Sequence, residues 1–216
     1  MGSRGDERRD RLKTSRLYVV TGARETQKDL PEFLDAILSA GVDIVQLREK
    51  EAEAGDVLRW SRVFRAACDR HGALFTVNDR ADLALACGAD GMHVGQNDLP
   101  PQWARRVVGP DVLIGLSCHS AEDHDSAAAE ADYLTAGPVW ATPTKPGRPG
   151  TGLELLRRAS VKVRRPWFAI GGIDASNVDE VVREGAGRIV VVRAVTDAED
   201  PAEAVGALLA RLPSAI

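Results

Sequence analysis

The segment Leu17-Tyr-Val-Val-Thr-Gly-Ala-Arg24 decides which fold the rest of the chain can adopt. Its first five residues are apolar or β-branched, which predicts a buried strand over Leu17–Thr21. The turn that follows contains a single glycine, whereas a dinucleotide-binding sheet usually places Gly-x-Gly-x-x-Gly after its first strand. The segment therefore disfavours an open, doubly wound sheet.

Seven further short apolar runs follow this strand, and amphipathic segments separate them. The predicted strands are Leu17–Thr21, Asp43–Leu47, Leu74–Val77, Gly91–Val94, Val112–Leu116, Tyr133–Ala136, Trp167–Ile170 and Arg188–Val192. The predicted helices are Leu30–Ala40, Gly55–His71, Ala81–Cys87, Pro100–Val108, Ala121–Glu130, Gly152–Ser160, Asn177–Gly185 and Pro201–Leu212. Strands that alternate with helices form a parallel sheet with the helices outside it, and eight such units in roughly 200 residues match the smallest (β/α)8 barrels. We therefore predict an α/β fold, a single (β/α)8 TIM barrel over residues 16–216.

Residues 1–15 precede the predicted barrel and are dense in charged side chains. Such a segment predicts a short polar N-terminal extension that frays or forms a short surface helix. A basic tether for a partner is the alternative interpretation.

Composition limits the classes of function. The 216 residues are 44% hydrophobic and 28% charged, as is ordinary for a globular domain, and the net charge of -4 disfavours a general nucleic-acid binder. Cys68, Cys87 and Cys118 lack C-x-x-C spacing, which indicates thiols in a reducing compartment. No apolar run approaches the roughly 18 residues of a membrane span, and the first residues lack the apolar core of a signal peptide. We therefore predict a cytoplasmic protein without a membrane partner; a homo-oligomer formed through the outer helices remains open.

Polar or glycine-rich clusters follow seven of the eight predicted strands, and the opposite strand ends mostly lack them. In a barrel of this type, active-site groups lie at the C-terminal strand ends and in the loops that follow. The clusters are Gln46–Lys50, Asn78–Arg80, His93–Asp98, Ser117–His119, the loop after the sixth strand, Gly171-Gly172 and Val192–Ala194. Their conjunction predicts an active site at that end of the barrel.

The loop after the sixth strand is Gly137-Pro-Val-Trp-Ala-Thr-Pro-Thr-Lys-Pro-Gly-Arg-Pro-Gly-Thr-Gly152. Its prolines and glycines exclude helix and strand. The hydroxyls of Thr142 and Thr144 and the ammonium of Lys145 are groups that hold phosphate. We expect a phosphate-binding loop with Pro146–Gly152 as the hinge side of a lid; a simple surface excursion is the alternative.

Each cluster taken alone also has a structural interpretation. Asp79 and Asp98 could cap the helices that follow them, and His93 could be a hydrogen-bonded core residue. Taken together, Arg48, Lys50 and Lys145 supply cations, while Asp79 and Asp98 supply hard oxygen ligands for Mg²⁺ that also binds substrate phosphate. This set suits a diphosphate. Thr142, Thr144 and the backbone at Gly172 and Val192 form a second phosphate-binding site, which suits a second phosphorylated substrate.

Several motifs in this order resemble the thiamine-phosphate synthase family. They are Gln46-Leu-Arg-Glu-Lys50, Val77-Asn-Asp79, Gly91-Met-His-Val-Gly-Gln-Asn-Asp98, Gly115-Leu-Ser117, Gly137-Pro-Val-Trp-Ala-Thr-Pro-Thr-Lys145 and Ala169-Ile-Gly-Gly-Ile173. The correspondence runs from about Arg16 to Leu212. It implies a Mg²⁺-dependent transferase that joins hydroxymethylpyrimidine diphosphate to thiazole phosphate by a dissociative mechanism, giving thiamine monophosphate and pyrophosphate.

The resemblance also implies roles for individual residues. The pyrimidine diphosphate would be contacted by Gln46, Leu47, Arg48, Glu49, Lys50, Asn78, Ser117 and Lys145. The thiazole phosphate would be contacted by Thr142, Pro143, Thr144, Gly172, Val192 and Arg193. Arg48, Lys50, Ser117 and Lys145 would be catalytic, and Asp79 and Asp98 would hold Mg²⁺. Three positions depart from the family pattern: Arg193 replaces the usual serine, Asn97 a common acidic residue, and Arg80 a frequent aspartate.

Three other functions explain fewer of these residues. The thiazole tautomerase of the same fold is the nearest alternative, but it typically lacks the set Lys50, Asp79, Asp98 and Lys145 and tends to carry a histidine near the position of Pro138. A barrel enzyme for a sugar phosphate, or a binding module without catalysis, would leave the paired carboxylates and the Lys145 loop unexplained.

Overall fold

The computed structural model describes residues 2–142 and 149–214 and contains a closed barrel of eight parallel strands in chain order. The strands are β1 Leu17–Thr21, β2 Ile44–Leu47, β3 Leu74–Asn78, β4 Gly91–Val94, β5 Leu113–Cys118, β6 Tyr133–Ala136, β7 Trp167–Ile170 and β8 Ile189–Val191. β8 pairs in parallel with β1, with Tyr18 opposite Val190, which closes the barrel. The predicted (β/α)8 barrel and all its strands are confirmed.

Ten helices occur in the described part of the chain. They are α1 Arg4–Thr14, α2 Leu30–Ser39, α3 Ala54–His71, α4 Ala81–Ala86, α5 Pro101–Val108, α6 Ala121–Asp125, α7 Glu154–Lys162, α8 Val178–Arg183, α9 Arg193–Thr196 and α10 Pro201–Leu209. The predicted helices are confirmed in position, and α9 is an addition after β8. None of the described helices combines the length and apolar character needed to cross a bilayer.

The helix predicted over Ala121–Glu130 is wrong in its second half, because α6 ends at Asp125. Arg165 binds the carbonyl oxygens of Ala128 and Ala131 at 2.8 and 2.6 Å. The arginine, from the loop before β7, thus supplies the partners that these carbonyls would otherwise need from a continued helix. A contact from a distant loop therefore overrides the local alanine-rich helix propensity.

The apolar residues form two separate clusters, as the period of two along each strand requires. One cluster fills the barrel interior and contains Tyr18, Ile44, Tyr133 and Phe168, whose aromatic rings pack edge to face with centroids 5.8 Å apart for both Tyr18–Phe168 and Tyr133–Phe168. The other cluster lies between the barrel and the helices. The interior is therefore a packed core that forms the floor of the site above it.

The N-terminal extension docks on the barrel. Leu12 of α1 is 1% exposed and belongs to the interior cluster. Arg8 Nε lies 2.9 Å from Asp90 Oδ1, and Arg9 Nε lies 2.8 Å from Asp132 Oδ1; both carboxylates stand just before a strand. The helix alternative for residues 1–15 is what the structure shows from Arg4 onward, and this helix covers the N-terminal end of the barrel.

Three aspartates make the same kind of hydrogen bond at the N-terminal end of the barrel. Asp43, Asp90 and Asp132 directly precede β2, β4 and β6. Their carboxylates accept the backbone N–H of Leu17, Phe75 and Ile114, at 2.9, 2.9 and 2.8 Å, in the strand before. Each carboxylate therefore ties two neighbouring strands together at the end opposite the predicted site.

His124 makes the stability of the protein sensitive to acid. Its side chain is buried, and neither ring nitrogen has a hydrogen-bond partner among the described residues. Burial lowers the pKa of this imidazole below its ordinary 6.5; Asp123 opposes that shift and Arg158 adds to it. The unfolded chain therefore binds this proton more readily than the folded protein does. The contribution of His124 to the free energy of unfolding is fully present above pH 6.5 and decreases as the pH falls below that value.

We therefore expect His124→Leu to lose less free energy of unfolding than the parent protein between pH about 7.5 and about 5.5. Urea titrations at the two pH values measure this difference. Equal losses in the parent and the variant would contradict it.

Candidate active site

Those predicted site residues that the structure describes lie at the C-terminal end of the barrel. Gln46 and Ser117 are the next-to-last residues of β2 and β5, and both side chains are buried and hydrogen-bonded within the interior. Asn78 ends β3 and is half-buried. Leu47 instead packs in the apolar layer between barrel and helices. Leu47 also lines the smaller of the two cavities described below, and its predicted substrate contact stays a prediction.

The two predicted metal ligands meet beside Lys50. Lys50 Nζ lies 3.1 Å from Asp79 Oδ2. Burial raises the pKa of the Asp79 carboxyl, the nearby Asp98 charge adds to that rise, and Lys50 opposes it without reversing it. The two carboxylates thus repel each other at close range, and a bound cation would relieve that repulsion.

Asp79 and Asp98 do not cap the helices that follow them, α4 and α5, through any of their described hydrogen bonds. Asp98 Oδ2 accepts the N–H of Gly95 at 2.7 Å, and the N–H of Asp79 donates to the carbonyl of His93 at 2.8 Å. Asp79 has a φ of 58°, a left-handed conformation that aspartate tolerates better than most residues. The turn after β3 therefore turns the carboxylate towards Lys50 and away from α4.

The chemistry of this pair fits Mg²⁺. Among the described residues no cluster of three or more His, Cys, Asp or Glu side chains has the arrangement of a metal site. Mg²⁺ commonly takes one or two carboxylates and completes its octahedron with water and substrate phosphate. Two interacting carboxylates, of which Asp79 lines a cavity, match that mode of binding.

Glu49 connects the loop after β2 with the loop after β1. Its Oε1 accepts the N–H of Ala23 at 2.7 Å, and a Cβ added at Gly22 would lie 2.4 Å from the same oxygen. The backbone of the half-buried Arg48 is likewise bonded to the end of β1, because its N–H donates to the carbonyl of Thr21 at 2.9 Å. The loop after β1 thus positions the Gln46–Lys50 segment.

A cavity of about 330 Å³ brings together the described members of the second predicted set. Its lining includes Ser117, His119, Thr142, Gly172, Val192 and Arg193. A Cβ at Gly171 would lie 2.4 Å from Pro138 Cα, so the loop after β7 needs glycine to pack on the loop after β6. Pro143, Thr144 and Lys145 lie outside the described residues, as do residues 146–148 of the proposed hinge Pro146–Gly152.

A second, smaller cavity of about 150 Å³ lies at the ends of β2 and β3. Its lining includes Glu49, Lys50, Asn78 and Asp79. Several residues predicted for the diphosphate and its metal thus line a cavity different from that of the second set, whereas Ser117 lines the larger cavity together with that set. Separate cavities suit two substrates better than one.

Sequence reasoning missed the tyrosines under the site. Tyr18 and Tyr133 lie near the starts of two apolar runs, and their hydroxyls, 3.2 Å apart, connect Gln46 with His93 inside the barrel. His93 is a buried, hydrogen-bonded residue, as its structural interpretation expected. An inward-facing tyrosine in an otherwise aliphatic strand was the available signal, because a buried hydroxyl requires a partner.

Comparison with known proteins agrees with the resemblance found in the sequence. The family described as Thiamine monophosphate synthase matches residues 17–195. A thiamine-phosphate synthase of Acidothermus cellulolyticus is 56% identical over 207 residues, which cover 94% of this chain and 98% of the relative. That of Thermobifida fusca is 55% identical over 210 residues, which cover 96% of each.

A solved structure agrees as well. Thiamine phosphate pyrophosphorylase from Pyrococcus furiosus superposes with a TM-score of 0.81 at 36% identity, covering 92% of this chain and 95% of that one. Since the family match spans most of the barrel and close relatives cover nearly the whole sequence, the chain belongs to the thiamine monophosphate synthase family and is a transferase.

Proposed function

We propose that this chain condenses 4-amino-2-methyl-5-hydroxymethylpyrimidine diphosphate with 4-methyl-5-(2-phosphoethyl)thiazole to give thiamine monophosphate and pyrophosphate. The observation that carries this proposal is the interaction of Asp79 with Lys50 and Asp98, where Asp79 and Lys50 line one cavity, together with a second cavity lined by Gly172, Val192 and Arg193. Each cavity supplies the groups that one of the two phosphorylated substrates needs.

On the diphosphate side, Asp79 and Asp98 would hold Mg²⁺. When bound, the ion supplies positive charge that stabilises the departing pyrophosphate. Arg48, Lys50 and Lys145 add three further cations for the same charge, and the half-buried position of Asp79 strengthens their effect relative to bulk water.

On the thiazole side, Thr142 and the segment Pro143–Thr144 would bind the phosphate from one loop. The backbone at Gly172 and Val192 would bind it from the loops after β7 and β8. Gly172 has a φ of 70°, and its carbonyl accepts a hydrogen bond from Asn177 Nδ2 at 2.8 Å. This bond holds the glycine turn with its N–H available for a ligand, and Arg193 adds a cation beside it.

The pyrimidine would lie over the barrel interior, against Gln46, Asn78 and Ser117. The thiazole nitrogen has no proton to lose when it attacks, so a dissociative reaction requires no general base. The buried tyrosines below the site suit that requirement, because burial raises the pKa of Tyr18 to about 12 and that of Tyr133 well above 10. Both remain protonated at neutral pH, and catalysis would be electrostatic and positional.

One assay tests the proposal and its alternative. With both precursors and Mg²⁺, we expect one pyrophosphate per thiamine monophosphate formed. Isomerisation of a thiazole phosphate alone, without pyrophosphate, would instead identify the thiazole tautomerase.

Metal removal tests the role of Asp79 and Asp98. We expect EDTA to reduce the rate about fivefold or more, and excess Mg²⁺ to restore it, because the carboxylate pair needs a cation to bind the diphosphate. A rate unchanged by EDTA would contradict the metal assignment. Adding EDTA already saturated with Mg²⁺ is the matched control.

A further inference from the structure

His119 follows β5 directly and belongs to the lining of the large cavity, together with Thr142 and Arg193. The proposed reaction gives it no role so far. Its side chain is half-buried, and its backbone and its ring each make a hydrogen bond to a different part of the chain. These two bonds hold an imidazole at the cavity and connect the loop after β5 with the loop after β6.

The backbone of His119 is fixed by the first turn of α6. Its N–H donates to Asp123 Oδ2 at 2.6 Å. Asp123 is held in turn, because its own N–H donates to Ser120 Oγ at 3.1 Å, and Ser120 is the N-cap of the helix. The residue before His119, Cys118, is the buried last residue of β5. His119 is therefore anchored on both sides, by the strand and by the helix.

The ring of His119 binds the first residue of the loop after β6. Its Nδ1 lies 2.5 Å from the carbonyl oxygen of Gly137. A carbonyl oxygen can only accept, so Nδ1 carries a hydrogen and donates it, in the neutral ring and in the imidazolium alike. The N–H of Gly137 donates to the carbonyl of Cys118 at 3.1 Å. The adjacent residues Cys118 and His119 thus bind both backbone polar groups of Gly137.

Residues 137–140, called the entry segment below, are also held from the other side. Val139 donates its N–H to the carbonyl of Ile170 at 2.8 Å. A Cβ added at Gly137 would collide with that same carbonyl oxygen, so the segment packs closely against the end of β7. The entry segment is therefore held between the ends of β5 and β7, and His119 supplies the side-chain bond on the β5 side.

The orientation of the Gly137 carbonyl affects the wall of the large cavity. Pro138 and Thr142, both from the loop after β6, line this cavity. The carbonyl of Gly137 belongs to the peptide unit that it shares with Pro138, and a peptide unit is planar. The bond from His119 to the Gly137 oxygen therefore also fixes the plane to which the Pro138 ring is attached.

We propose that His119 is a positioning residue for the thiazole phosphate: its Nδ1–H orients the Gly137 carbonyl and thereby places Pro138 and Thr142 against this substrate. The inference rests on the proposed function in assigning the thiazole phosphate to the large cavity. It adds a residue that acts on that substrate through the loop after β6, without itself being assigned a contact with the phosphate.

The test is calorimetric titration of the thiazole phosphate into the parent, His119→Leu and His119→Asn. Mg²⁺ and pyrophosphate are present and the pyrimidine is absent, so no product can form. We expect His119→Leu to raise Kd about fivefold, as the loss of one hydrogen bond predicts. In His119→Asn the amide Nδ2 takes the place of the ring Nδ1 as a donor, and Kd should return to within about twofold of the parent.

Ser120→Ala is the matched control. It removes one hydrogen bond in the same turn, the cap of α6, but leaves the bond between His119 and Gly137 in place. We expect it to lower the urea midpoint and to keep Kd for the thiazole phosphate within about twofold of the parent.

Turnover separates the two substrates. His119→Leu should raise KM for the thiazole phosphate about fivefold and leave KM for the pyrimidine diphosphate within about twofold. The reason is that Lys50 and Asp79, assigned to the diphosphate side, line the smaller cavity at the ends of β2 and β3.

An unchanged Kd in His119→Leu, no recovery in His119→Asn, or an equal loss in Ser120→Ala would each overturn the inference. A parent that does not bind the thiazole phosphate would overturn it together with the thiazole side of the proposed function. If the parent and its variants bind as expected but no pyrophosphate is released with both substrates, the positioning role is confirmed and only the proposed reaction is contradicted.

Discussion

Asp79→Asn is expected to lower kcat/KM for pyrophosphate release by at least about tenfold, a loss of roughly 1.4 kcal/mol of transition-state stabilisation. The substitution removes one charge from the carboxylate pair while asparagine retains the left-handed φ of 58° at this position. Lys50, which lies 3.1 Å from Asp79, also loses its charged partner. Steady-state kinetics at several Mg²⁺ concentrations measure the effect, and the variant should need more Mg²⁺ for half-maximal rate.

Asp82→Asn is the matched control for this substitution. Asp82 is exposed, pairs with Arg80 at 2.5 Å and lies in the first turn of α4, close to Asp79 in sequence. It should leave kcat/KM nearly unchanged.

Lys145→Ala is also expected to lower kcat/KM at least about tenfold, because Lys145 ends the sequence motif assigned to the diphosphate. Near-normal turnover in both Asp79→Asn and Lys145→Ala would refute the assignment of the diphosphate side.

Asp90→Ala is expected to lower the free energy of unfolding by about 3–5 kcal/mol. The Asp90 side chain is 9% exposed and pairs with Arg8 at 2.9 Å and Arg65 at 2.7 Å. It also accepts the backbone N–H of Phe75. Its removal leaves two partly buried guanidinium groups without their shared partner and a buried strand N–H unsatisfied. Urea unfolding of the parent and the variant at neutral pH measures the loss.

Asp35→Ala provides the comparison in an exposed setting. Asp35 also has two side-chain partners, Arg70 and His71, but its side chain is 54% exposed. Its replacement should leave the urea midpoint nearly unchanged, because water solvates the separated charges. A shift for Asp90→Ala no larger than that for Asp35→Ala would show that the aspartates at the N-terminal end do not stabilise the barrel.

The strands were predictable because each is a short apolar run, and the barrel because strands and helices alternate without a glycine fingerprint after Thr21. The strand-end clusters were predictable for the same reason: parallel strands place all their C-terminal ends on one side. Residues as distant in sequence as Gln46 and Ser117 could therefore be assigned to one site before any contact between them was known.

Contacts between distant residues were not predictable in the same way. The docking of α1 depends on Arg8 meeting Asp90, 82 residues later, and Arg9 meeting Asp132, 123 residues later. The local sequence pattern of a charge-dense segment is the same whether or not the folded barrel offers ion-pair partners for it. The early end of α6 depends likewise on Arg165, which lies far beyond the predicted helix.

The sequence by itself determined the fold and the end of the barrel at which the candidate site lies, because hydrophobic periodicity and strand direction are local properties. Only the tertiary structure decided which inward side chains touch. Closure and strand register set Gly115 between His93 and Tyr133, Tyr18 beside Gln46, and Lys50 against Asp79. Hydrogen bonds and ion pairs depend on distances of a few tenths of an ångström, and those distances arise only when the strands are assembled.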